Sequence, residues 1–263
     1  MTALIAGGTS GLGHATADTL MRRGIVPVLV GRDVETGTKA IAELGAGARF
    51  SAGDVTEEDD VMRALDLCSG LGELRIVINC AAATDVARTL GREGAVPLDH
   101  FVHVINTNIT GTFNVCRLAA ERIARLEPAD GERGVIINTS SIAAFDGQAG
   151  QVAYAASKAA VAGMTLPLAR DLAESLIRVV TVAPGMFRTR LTESLPDRLL
   201  TTLRDHTPHP TRFGNAHEFA ALIEHIVDNR MLNGETIRLD GALRLPARPR
   251  GRTADDRPQA PQT

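Results

Sequence analysis

Six short runs of β-branched and apolar residues recur at wide intervals along the chain: ALIA at 3–6, VPVLV at 26–30, RIVIN at 75–79, GVIINT at 134–139, IRVVTVA at 177–183 and ETIRL at 235–239. They are continuous rather than alternating, as strands covered on both faces require. Helical patterns fill the intervals, at Leu12 to Arg23, Val34 to Leu44, Glu57 to Leu67, His100 to Leu126, Ala153 to Leu176 and His217 to Asn229. Strands alternating with helices predict an α/β fold, a single doubly wound domain with a parallel sheet of about seven strands flanked by helices. From Pro246 onward the apolar periodicity stops and PARPRGRTADDRPQAPQT gains Pro, Arg and Asp, so 246–263 is expected to be a disordered tail and 1–245 the domain.

Composition narrows the partners. The chain has 263 residues, 44% of them hydrophobic and 22% charged, enough to bury one large core. Its formal charge of −3 is spread among interspersed acids and bases, which gives no basic field for nucleic acid or an anionic membrane. A small-molecule partner is expected. Cys68, Cys80 and Cys116 are odd in number, far apart and set in apolar runs, which predicts free thiols in a reducing compartment. No run approaches the 18 apolar residues of a membrane span, and the opening MTALIAGG is too short for a signal core; a soluble, cytoplasmic protein is expected.

The stretch GGTSGLG at 7–13 directly follows the first strand and opens the first helix. In that context Gly7, Gly11 and Gly13, with Ser10 and Leu12 between them, predict a Rossmann-type dinucleotide turn. Glycines let the backbone approach a pyrophosphate, and the helix N-terminus presents free N–H groups and a positive dipole end. A plain tight turn is the competing reading.

The only tyrosine, Tyr154, stands in YAASKAAVAG, four residues ahead of Lys158. Residues at that spacing share a helix face, so the pair is a candidate proton donor and its tuner, the ammonium drawing the phenol down from its ordinary pKa near 10. A core tyrosine with a lysine running past it is the bland alternative. Ser141 ends the GVIINTS strand, where an open sheet forms its ligand crevice, and a serine there can hold a carbonyl oxygen. Asn108 lies inside a helical pattern although it is a poor helix former, which suggests a water or backbone anchor.

With the glycine-rich turn, the NCAA strand end, Asn108, Ser141 and Tyr-x-x-x-Lys in this order, the sequence resembles the short-chain dehydrogenase/reductase family over roughly residues 2 to 245. The resemblance implies hydride transfer between a nicotinamide dinucleotide and a secondary alcohol or ketone. Tyr154 would then be the general acid or base, Ser141 would orient the substrate oxygen, and Lys158 would tune Tyr154 and hold the ribose. Asn108 would hold a relay water. Cys80 and Ala81 would lie beside the ribose, Asp54 and Val55 at the adenine, and Thr189 at the carboxamide, with Pro184 and Phe187 on the same segment. Ala6 and Ala82 depart from the family's threonine and glycine, and neither removes a catalytic group. Several blocks, among them GTFNVCRLAA and LNGETIRLDGALR, are similar to a branch acting on 3-hydroxyacyl thioesters and hydrophobic secondary alcohols. That likeness includes a lengthened loop at Thr84 to Phe101 and Gln148 near the substrate; it is weakest in the substrate lid over 186–214, where Arg188 and Arg190 stand although an apolar pocket would not need them, and they would meet a phosphate, a carboxylate or water. The small and apolar surface of the helices from His100 and Ala153, which the family pairs between subunits, predicts a homotetramer.

After the second strand, the position that ordinarily carries a carboxylate for the ribose 2′-hydroxyl is Gly31, and Arg32 follows. A guanidinium there predicts NADP, with NAD possible should the adjacent Asp33 turn inward. Other classes fare worse. His100-x-x-His103 and His206-x-x-His209 lack partner ligands, so no metal is expected. GTSGLG lacks the second glycine of a hydrolase nucleophile elbow. A cofactor-binding but idle sensor or scaffold is the rival left open.

Overall fold

In the computed structural model, which describes residues 1–188 and 206–247, seven parallel strands form one sheet. The chain runs through β1 (Thr2–Ala6), α1 (Gly11–Arg22), β2 (Val26–Gly31), α2 (Val34–Leu44), β3 (Arg49–Ala52), α3 (Glu58–Leu71) and β4 (Leu74–Asn79). A short hairpin, β5 (Leu90–Gly91) and β6 (Gly94–Ala95), occupies the lengthened loop. Then come α4 (Leu98–Ile105), α5 (Gly111–Ile123), β7 (Gly134–Thr139), α6 (Ala143–Asp146), α7 (Val152–Asp171), β8 (Ile177–Pro184), α8 (Ala216–Asp228) and β9 (Thr236–Leu239). The order β3-β2-β1-β4-β7-β8-β9 matches the expected doubly wound sheet.

The six apolar runs all become strands because successive side chains leave opposite faces and both faces are covered. Leu4, Val28, Val77, Ile136 and Val179 meet one helical layer that includes Val61, Leu65 and Val115; Ile5, Leu29, Ile78, Ile137 and Val180 meet the other, with Leu20, Phe219 and Ile223. The seventh strand, β3, reads RFSA and lies at the sheet edge, where exposed and half-buried residues carry no continuous apolar signal. Its pairing with β2 is a backbone matter.

Two elements depart from the sequence reading. The single helix expected from His100 to Leu126 is α4 and α5 joined by a π-helical turn, Asn106–Thr110, a feature that often marks a functional position. The first two residues of the expected tail are hydrogen-bonded. Gln148 Nε2 donates to the Pro246 carbonyl at 3.0 Å and Ala149 N–H to the Ala247 carbonyl at 3.0 Å, so Pro246 and Ala247 belong to the folded body. The remainder of the tail, 248–263, lies outside the described residues.

Candidate active site

The strand order reverses between β1 and β4, so their carboxyl ends open a crevice. Gly7 leaves β1 with φ +72°, and a Cβ there would lie 2.6 Å from the Ala81 nitrogen. A Cβ on Gly13 would lie 2.4 Å from the Gly7 carbonyl oxygen. Both positions therefore need glycine, and the cradle is too shallow for side chains. Ser10 precedes α1 in an extended conformation and makes no side-chain cap, which leaves the first amides of α1 to a ligand anion. Gly13→Ala is accordingly expected to weaken cofactor binding by at least about tenfold, since the Gly7 backbone that faces the pyrophosphate must move; fluorescence titration with the dinucleotide checks it.

A groove of about 460 Å³ continues from this cradle, lined by Gly7, Ser10, Gly11, Leu12, Gly13, Arg32, Asp54, Val55, Cys80 and Ala81 as expected, and also by Thr9, Gly31, Ala82 and Thr139. Thr9 was not legible in the sequence: a Cβ on Gly31 would meet its Cγ2 at 3.1 Å and its Oγ1 at 3.3 Å, so Thr9 fills the space a carboxylate side chain would enter. Asp33 does not turn inward. Its carboxylate caps α2 by accepting from Thr36 N–H at 2.6 Å, and hydrogen bonding from the Thr36 side chain and amide holds its pKa below the ordinary value. Arg32 reaches toward Asp54, with Nη1 3.7 Å from Oδ2, while Asp54 Oδ1 accepts from the Thr56 amide and hydroxyl.

Two more of the expected cofactor residues stand at and just after the end of β8. Phe187 turns its ring into the core, edge-to-face on Phe219 with centroids 6.4 Å apart. Pro184 ends β8, and its carbonyl accepts from Ile142 N–H at 3.1 Å. Thr189 and Arg190 lie outside the described residues, as does most of the lid, 189–205.

The reacting groups gather past the ends of β7 and β8. Ser141 follows β7 and its Oγ accepts from Ala143 N–H at 3.1 Å. Tyr154 stands in the first turn of α7, and Lys158, one turn on, is buried with Nζ 5.8 Å from the Tyr154 ring centroid. That ammonium donates to the Thr139 carbonyl at 2.9 Å, and Ser140 Oγ in turn donates to the Lys158 carbonyl at 2.7 Å. The order of electrostatic effects differs from the sequence expectation. Burial raises the Tyr154 phenol, hydrogen bonding with Ser141 pulls it the other way, and burial lowers Lys158 to about 8. Desolvation wins because both groups leave water together.

Asn108 is fully buried in the π-helical turn. Its Oδ1 accepts from Ala83 N–H at 2.7 Å, and its Nδ2 donates to the Ala83 carbonyl and to Ser157 Oγ, both at 2.9 Å. The side chain thus ties the loop after β4 to α7, the anchoring to backbone that the sequence offered beside the water-holding role. Gln148 Nε2 donates to the Pro246 carbonyl. Behind the site, Asn79 and Asn138 face each other on neighbouring strands, with Asn79 Nδ2 donating to Asn138 Oδ1 at 2.8 Å. Neither asparagine stood out in the sequence, because each belongs to an apolar strand. Among the described residues, no cluster of three or more potential ligands would hold a metal ion.

A glycine cradle at a sheet's switch point, feeding a serine, a tyrosine and a buried lysine, defines a dinucleotide-dependent oxidoreductase. The short chain dehydrogenase family model matches residues 1–199, and the chain belongs to that family. It is 47% identical over 249 residues to 3-hydroxyacyl-CoA dehydrogenase type-2 of Bos taurus, covering 93% of this chain and 95% of the relative. Ipsdienol dehydrogenase of Ips pini is 34% identical over 247 residues, covering 92% and 96%. The crystal structure of 3-hydroxyacyl-CoA dehydrogenase type-2 from Mycobacterium avium superposes with a TM-score of 0.89 at 39% identity, covering 94% of this chain and 96% of that one. This chain is a nicotinamide dinucleotide-dependent oxidoreductase acting on hydroxy or keto substrates.

Proposed function

We propose that the enzyme interconverts a 3-hydroxyacyl thioester, or a similar hydrophobic secondary alcohol, and its ketone, with NADP(H) as the preferred cofactor. The observation that carries this reading is the convergence of Ser141, Tyr154 and Lys158 beside the glycine cradle. The cofactor supplies or accepts the hydride. Ser141 Oγ holds the substrate oxygen, and Tyr154 Oη gives or takes its proton. Lys158 faces the groove wall at Thr139, from which its ammonium favours the phenolate form and can hold ribose hydroxyls. The substrate class rests on the names of the relatives at high coverage. Loss of reduced-cofactor absorbance with 3-ketoacyl thioesters, set against simple ketones and quinones, tests it; no turnover with any thioester would sink the substrate assignment.

Three features support NADP. Gly31 has no carboxylate, Thr9 occupies that space, and Asp33 is engaged as a helix cap. Arg32 is free to swing from its long contact with Asp54 onto a 2′-phosphate, a charge-assisted pairing of about 1.5–3 kcal/mol net. Its side chain is 68% exposed, so solvent screening places the effect at the lower end. Arg32→Ala is expected to shrink the NADPH-over-NADH preference by about tenfold; tighter NADH binding by the unmodified protein would overturn the cofactor assignment.

A homotetramer is proposed on the exposed apolar surface of α5 and α7. Of α7 only Ser157, Lys158, Val161, Thr165 and Ala169 are buried, and Leu166 and Phe113 remain 45% and 46% exposed. Light scattering at micromolar concentration is expected to give four chains, and a monomer would refute it. A reducing, cytoplasmic setting is supported by three free cysteines, of which burial raises Cys68 and Cys116 to about 12 and Cys80 to about 11.

A further inference from the structure

Between Ser141 and Tyr154 the chain makes one short helix, α6, and a loop, and this whole segment rests on the C-terminal strap that follows β9. Arg238, on β9, is the centre of the contact. Its Nη2 donates to Asp146 Oδ2 at 2.5 Å and to the Leu243 carbonyl at 3.2 Å, and its Nε to Asp240 Oδ2 at 2.8 Å. The guanidinium also covers the Phe145 ring at 5.0 Å. The side chains of Arg238, Asp146 and Asp240 are 22%, 19% and 8% exposed, so the pairs are largely withdrawn from water, where charge-assisted bonds hold geometry best. Two further bonds finish the strap, from Gln148 Nε2 to Pro246 and from Ala149 to Ala247.

We propose that Arg238 is a positioning residue for the reaction: by clamping Asp146 it sets where Ser141 stands relative to Tyr154. The path is short. Ser141 Oγ is held by the first amide of α6, and Asp146 ends that helix. On the far side Gly147 packs so closely on Ala155, next to Tyr154, that a Cβ at Gly147 would lie 2.9 Å from the Ala155 Cβ. Without the Arg238 clamp, α6 keeps the Ile142 to Pro184 bond at its start, while its last residue loses its ion pair and its far end is located only by the loop bonds of Gln148 and Ala149. Ser141 and Tyr154 then lose their registration, while the glycine cradle and Lys158, held by β1, β4 and β7, do not.

This inference rests on the reading of Ser141 and Tyr154 as the reacting pair, and the experiment separates the two. Arg238→Gln and Asp146→Asn are each expected to lower kcat, counted per dinucleotide-binding site, by about tenfold, with cofactor Kd within about twofold. Asp146→Glu is expected to retain most of the turnover, because it keeps the ion pair. In a Ser141→Ala background the same two substitutions are expected to cost less than about twofold more, since the group they position is gone. Equal losses in both backgrounds, or an unchanged kcat per site with only a lowered Tm, would overturn the proposal. Should Arg238→Gln fail to fold, Asp146→Asn, which leaves Arg238 paired with Asp240, tests the same clamp from its other end. Normal turnover by Tyr154→Phe would remove the underlying reading, whereas an inert Tyr154→Phe beside a fully active Arg238→Gln would remove this inference alone.

Discussion

Tyr154→Phe is expected to lower turnover by about two to four orders of magnitude while cofactor affinity stays within a few fold, because one proton-carrying oxygen is lost and nothing else. The phenol is the only side chain of its kind in the chain, and it stands within hydrogen-bonding reach of Ser141. A phenylalanine keeps the ring that Lys158 faces at 5.8 Å, so the packing of α7 survives. The loss should fall on kcat, since the missing proton transfer belongs to the transition state and not to binding. Steady-state kinetics at saturating cofactor, together with a separate binding titration, read the two effects apart. Turnover within a few fold of the unmodified enzyme would remove Tyr154 from the mechanism.

Lys158→Met is expected to abolish most activity and, at neutral pH, to make the protein more stable. Burial lowers Lys158 from its ordinary value of 10.5 to about 8. Between those two values the folded protein binds fewer protons than the unfolded chain, so stability rises with pH across that window. Below about 8 both states carry the proton, and the folded state bears the whole cost of burying it, on the order of 3 kcal/mol. Methionine fills similar space without charge. It also leaves the Thr139 carbonyl without its donor, which offsets about 1 kcal/mol of the gain. The net expectation is a Tm higher by a few degrees at pH 7, with the advantage fading as pH approaches 10. A variant that melts lower at pH 7, or whose advantage ignores pH, would contradict the account. Stability given up to bury an ammonium is a cost that catalysis explains and packing does not.

Much of the site was legible because its signals are local. The strand-turn-helix context of GGTSGLG identified the cradle, and the four-residue spacing of Tyr154 and Lys158 placed both on one face of α7. What the sequence did not show are the partners distant in it. Asn108 was singled out correctly as an anchor, but its partners are Ala83 and Ser157, 25 and 49 residues away. The partner of Gln148, the Pro246 carbonyl, lies 98 residues on. The ring of Phe187 packs edge-to-face on Phe219, a contact that no local spacing announces.

The sequence by itself determined the class of fold, the order of strands and helices, the glycine cradle and the chemical identity of the reacting groups, since apolar periodicity and short spacings are properties of neighbouring residues. The tertiary structure alone decided the edge strand β3, the π-helical turn, the engagement of Asp33 as a helix cap and the Arg238 clamp on α6. It also reversed the direction expected for Tyr154, whose phenol rises where the sequence predicted a fall. The reason is the same in each case: edge pairing, burial and the choice of hydrogen-bond partner are set by which segments meet in space, and desolvation has no value until the fold has removed the water.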